Sequence, residues 1–185
     1  MTSMQKSHRA VVTTVAVVQL LAVALWASGL ITLGAVVAPI VFRVVAAPGS
    51  ADAMTLVFGR FDAIAITCAA IALVAEAAFA VRGGRVTRAD VVRGATLVIA
   101  AGLAVTVGAW LSPGIADLHR SGAVRGLGEG GLALERLHRL AETLGKAQLL
   151  LLLAVFILSV AKASRPHGGG MEPASGVAET RNQAR

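Results

Sequence analysis

The chain has 185 residues, 56% of them hydrophobic and only 15% charged, with a mean hydropathy of +0.77. A soluble domain of this length would need far more charge to cover its surface, so composition places the chain in a membrane. The formal charge of +7 sits at the ends of apolar runs. It does not form a basic stripe interleaved with aromatics, which argues against a nucleic-acid partner and makes the lipid bilayer the expected one.

Residues 1–10 read as a short N-terminal segment and residues 11–162 as an all-α, polytopic four-helix transmembrane bundle. Its spans fall near residues 14–42, 58–81, 94–111 and 140–161. Residues 163–185, rich in Gly, Ser, Pro and Glu without an apolar face, read as a disordered tail.

No charge interrupts residues 10–42, a run of 33 positions, against the ~20 that a helix needs to cross hydrocarbon. The run is too long, and too weakly bounded, for a cleaved signal peptide. Pro39 removes a backbone donor inside it and predicts a kink near its outer end. Span two is alanine-rich, with Arg60 and Asp62 at its start and Glu76 within it. Cys68, the sole cysteine, lies in this span as a small apolar group, so neither an intramolecular disulfide nor a cysteine zinc site can form.

Span three is uncharged from Gly94 to Leu111, and Pro113 marks its outer end. The apolar stretch of span four, residues 147–161, reaches only ~22 Å as a helix, so that helix extends back beyond Lys146. Lys146 could then snorkel outward along its stem. Leu134, Leu137, Ala141 and Leu144 recur at helical spacing, so the helix begins outside the membrane. It follows a connection made flexible by Gly122, Gly126, Gly128, Gly130 and Gly131.

Loop charges set the orientation. Lys6, Arg9, Arg82, Arg85, Arg88, Arg93, Lys162, Arg165, Arg181 and Arg185 flank one side. Arg43, Arg60, Arg120, Arg125, Arg136, Arg139 and Lys146 flank the other, mixed with six acids. The positive-inside rule then predicts cytoplasmic N- and C-termini in a cell membrane, and an even number of spans fits both ends lying on one side.

Ionisable groups inside a membrane are functional candidates because their burial is costly. Asp62 and Glu76 lie fourteen positions apart, on nearly the same side of one helix but ~21 Å apart along its axis. Ala65, Ala69 and Ala72 lie near that face and allow close helix approach. Two readings stay open: a polar track for a proton or cation, or two terminal charges each paired with an arginine.

Glu135, His138 and Glu142 share one side of the fourth helix and, with His119 before it, are candidate ligands for a divalent metal. Glu135 with Arg139 and Glu142 with Lys146 are also i,i+4 pairs, typical of a solvated surface. Pro39, Pro113, Arg43, Arg60, Asp62, His138 and Glu142 fall near the outer interface, as a binding site or an ion-pair network. Spans one to three contain no histidine, and His8 and His167 belong to the termini. A bis-histidine haem between helices is therefore unsupported, and no cofactor is predicted. Neither a nucleophile elbow nor a nucleotide-binding loop is present, so no catalytic residue is assigned.

Four segments carry a resemblance: Gly34-Ala-Val-Val-Ala-Pro-Ile-Val-Phe42, Val57-Phe-Gly-Arg-Phe61, Trp110-Leu-Ser-Pro113 and Leu134-Glu-Arg-Leu-His138. In this order the chain resembles the transmembrane protein 205-like family, a membrane domain of unknown function. The resemblance implies a four-helix membrane domain with Pro39, Phe42, Pro113 and His138 at characteristic positions. The chain departs from the family after His138, where a small polar residue and an asparagine are usual.

The leading expectation is a non-enzymatic membrane protein that assists transport or contacts other membrane proteins, or its own copies as a homo-oligomer. The alternatives are a small transporter or metal-handling protein, and a haem- or copper-linked redox protein.

Overall fold

The computed structural model describes residues 3–81 and 86–163. Arg82, Arg85, His167 and the expected disordered tail from residue 164 lie outside the described residues. The first span is built from α1 (Ser3–Ile31), a π-helical segment (Thr32–Val37) and α2 (Ala38–Val44). α3 (Gly49–Val81) is the second. α4 (Arg88–Thr106), a π-helical segment (Val107–Leu111) and α5 (Ser112–Arg120) form the third, and α6 (Gly128–Ala163) the fourth.

Four helical stretches, of 33 to 40 residues, are long and apolar enough to cross a membrane. At 1.5 Å per residue the shortest is about 50 Å long, so each overruns the ~30 Å of hydrocarbon. α1 and α4 each pack on both α3 and α6, closing a ring of four. The start of α4 meets both the end of α3 and the end of α6 through ion pairs, so α4 runs antiparallel to both.

Membrane helices lack the water-driven incentive to hide an apolar stripe, and here small residues make the seam instead. Ala65, Ala69, Ala72 and Ala75 of α3 are buried, as are Ala100, Ala101 and Ala104 of α4. Trp26, Leu97, Leu152 and Val155 fill the space between the helices and are wholly enclosed. Large residues such as Leu25, Val74, Ile99 and Ile157 point outward, where acyl chains meet them without penalty because the helical backbone pairs its own polar groups.

The two prolines have the same local consequence. A proline ring clashes with the carbonyl four residues earlier and leaves it without its usual donor. Those carbonyls belong to Ala35 and Ala109, and each lies in a π-helical segment just before the proline. The wider π turn absorbs the clash. The helix passes through Pro113, the expected outer end of the third span, and continues to Arg120.

α6 likewise starts earlier than its apolar spacing suggested. Gly130 and Gly131, expected in a flexible connection, belong to its first turn. Gly131 is required there, because a Cβ would lie 2.0 Å from the carbonyl oxygen of Val124. Gly122 and Gly126 keep the turn character expected of them, with φ of +79° and +80°.

Candidate functional site

Polar side chains gather at the two ends of the bundle. At the end where α1 begins and α6 finishes, Glu76 of α3 receives a two-pronged contact from Arg93 of α4. Arg93 Nη2 donates to Oε1 at 2.9 Å and Nε to Oε2 at 3.1 Å. Gln19 of α1 donates to the same Oε2 at 2.8 Å. Arg93 also lies 3.6 Å from Asp90, which accepts from Lys162 of α6 at 2.5 Å.

All four long helices are thus tied together by two acids, two bases and an amide. The charges cancel, which is the condition for holding them in a low-dielectric setting. Arg93 is only 5% exposed and its guanidinium carbon lies 5.8 Å from the Phe79 ring centre, a cation–π distance. Local sequence aims Asp90: Thr87 caps α4 by accepting from the Asp90 backbone N–H, and its own N–H and hydroxyl donate to the Asp90 carboxylate. The reciprocal bonds satisfy otherwise orphaned donors at the helix start.

At the other end, Ser112 of α5 donates to Asp62 of α3 at 2.5 Å. The helices come close because Gly108, in the π segment, has no side chain. A Cβ there would be 3.2 Å from that of Asp62. His119 of α5 and His138 of α6, both partly buried, lie with ring centres 5.8 Å apart and planes at 63°. Glu135 is held by Arg125 and by Arg139, the latter at 2.7 Å, and Glu142 accepts from Lys146 at 2.7 Å. Both i,i+4 pairs read from sequence are therefore present.

Of the four metal candidates, the structure brings the two imidazoles together while both carboxylates engage bases. Among the described residues, no three His, Cys, Asp or Glu side chains form a group able to hold a metal. Asp62 and Glu76 are separated by the buried, apolar Ala65, Cys68, Ala69, Ala72 and Ala75. Glu76 has the arginine partner that one reading gave it; Asp62 has a serine instead. Arg43 and Arg60 are exposed and enter none of the ion pairs among the described residues. Pro39, Phe42 and Pro113 are also exposed.

Sequence reasoning passed over Gln19, the one side-chain amide in the uncharged first run, and Ser112 beside Pro113. It counted Arg93 and Lys162 as loop charges, whereas both close ion pairs between helices. Buried Trp26 carries an indole N–H with no hydrogen-bond partner, a feature without a sequence signal.

A lateral groove of ≈ 510 Å³ runs between α1 and α3. Leu25, Ser28, Thr32, Leu56 and Phe61 line it, with Arg60 at its polar margin.

A tightly packed alanine core, long apolar helices and polar clusters confined to the ends define a multi-pass helical membrane protein. The chain belongs to a family described as a domain of unknown function, DUF4149, whose model matches residues 21–123. That match begins within the first span, takes in the second and third, and stops before α6. No curated protein and no solved structure matches the chain.

Proposed function

We propose that this is a non-enzymatic membrane protein that acts by lateral contact, seating a transmembrane helix of another membrane protein in the α1–α3 groove. The observation that carries this reading is the groove itself. It is mostly apolar, presents small Ser28 and Thr32 at i,i+4 spacing, and so suits close helix approach. Arg60 gives it a cation outside the ion pairs among the described residues, which complements an acidic residue on the incoming helix. A transport-accessory role follows if the seated helix belongs to a transporter.

Both termini are assigned to the cytoplasmic face of the cell membrane, supported by the ten-to-seven distribution of Lys and Arg and its mixing with acids on the minority side. Kinship with transmembrane protein 205-like proteins is supported by the four ordered motifs, three of which fall inside the matched residues 21–123.

Site-specific photocrosslinking in native membranes tests the lateral-contact reading. A benzoylphenylalanine at Leu25 or Leu56 should yield a discrete protein adduct whose peptide carries an acidic residue near its end. The adduct should vanish with Arg60→Glu and be absent when the probe replaces Ile99 on α4. Adducts to lipid alone, or equal protein adducts from Ile99, would overturn the reading.

A further inference from the structure

His119 and His138 form a pair that the lateral-contact reading does not use. They sit on separate elements, α5 and α6, and reach one another across the α5–α6 packing. Two neutral imidazoles are good ligands for late first-row divalent metals. The geometry can be compared with such a site. A metal lies ~2.0–2.1 Å from the ligating nitrogen, hence about 3.2 Å from the ring centre. Two such rings have centres roughly 5.2 Å apart at a tetrahedral angle and roughly 6.4 Å apart when opposed. The observed 5.8 Å falls between these limits. The 63° between planes is no obstacle, because each ring turns about its own metal–nitrogen bond.

Beside His138, Arg125 is paired with Glu135, which Arg139 also holds. Asp117, two positions before His119, is likewise held by Arg120. The carboxylates are spoken for, which leaves water to complete the coordination and makes the ion exchangeable. The second of two imidazoles fixes the position of the ion, while open positions allow its transfer.

We infer that His119 and His138 together bind one exchangeable divalent transition-metal ion of the copper–zinc class, at the end of the bundle opposite the start of α1 and the end of α6. The site needs no redox change and no third protein ligand. It is separate from the α1–α3 groove, so either can fail without the other.

The test uses the full chain, purified in mild detergent without a polyhistidine tag and titrated with Cu²⁺ alone. Electron paramagnetic resonance should show one Cu²⁺ per chain with hyperfine splitting from two nitrogens, displaced by excess Zn²⁺. His119→Gln and His138→Gln should each weaken binding roughly tenfold or more and reduce the pattern to one nitrogen, with the thermal unfolding midpoint nearly unchanged. A His8→Gln, His167→Gln double variant should bind as the wild type does. Binding unaffected by His119→Gln and His138→Gln, or lost in the terminal double variant, would overturn the inference. So would a wild-type chain that takes up no Cu²⁺ with nitrogen splitting.

Discussion

Removing Arg93 while keeping its volume should be among the most damaging single changes in the bundle. In Arg93→Met, Glu76 would keep only the amide of Gln19 as a donor and would remain an unpaired anion among packed helices. Arg93 has 6% of its side chain exposed and Glu76 has 17%, so water cannot replace the lost partner. Breaking a buried pair from one side costs ~3–5 kcal/mol, whereas replacing both members with apolar groups is close to neutral. Glu76→Leu combined with Arg93→Met should therefore recover most of the loss. Lys162→Met removes a base that is 54% exposed, and should cost less than ~1 kcal/mol.

The assay is reversible unfolding in mixed micelles followed by tryptophan emission. Trp26 is fully enclosed and Trp110 is 78% exposed, so a Trp110→Phe background isolates the buried reporter. If Arg93→Met falls within ~1 kcal/mol of the parent, the pair is not desolvated as the packing implies. If the double variant is no more stable than the single, the unpaired charge is not the cause.

Gly29→Ala should destabilise by ~1–3 kcal/mol through overpacking, because the new Cβ would lie 2.3 Å from Phe61 Cε2. Gly34→Ala, with no neighbour within 4 Å, should be neutral or mildly stabilising, and equal effects in the same unfolding assay would contradict the packing. Trp26→Phe should lose some packing but relieve an indole N–H that has no partner, giving a net cost below the ~3–5 kcal/mol of a Trp→Ala change. Trp26→Ala, measured beside it, should show the larger loss. A reporter active only in the cytoplasm should function when fused after Arg185 and fail when inserted at Gly128. The reverse pattern would invert the assigned orientation.

Much of the architecture could be read directly because a bilayer imposes length and polarity requirements that one residue stretch satisfies or fails by itself. The 33-residue uncharged run and the three later apolar runs needed no partner to be recognised as spans. The i,i+4 pairs Glu135–Arg139 and Glu142–Lys146 were legible for the same reason, since helical periodicity alone brings such residues together. Local chemistry also marked Pro39 and Pro113 as disturbances. It did not reveal that a π turn would absorb each of them, because that depends on whether neighbouring helices hold the chain straight.

What only the tertiary structure decided is which distant polar groups meet. Gln19, Glu76, Arg93, Asp90 and Lys162 span 144 positions of sequence, from Gln19 to Lys162 inclusive, and helical spacing links only Asp90 with Arg93. Their meeting depends on the order of the four helices around the ring and on the rotation of each about its axis. Spans that are apolar on every side carry almost no signal for that rotation, since any face can meet lipid at little cost. The alanine seam of α3 and the glycines at positions 29 and 108 settle it instead, by the closeness of backbone approach they permit. The same rotation sets His119 beside His138 while Asp62 turns to Ser112, which is why loop charges and candidate ligands read from sequence became partners only once the helices were packed.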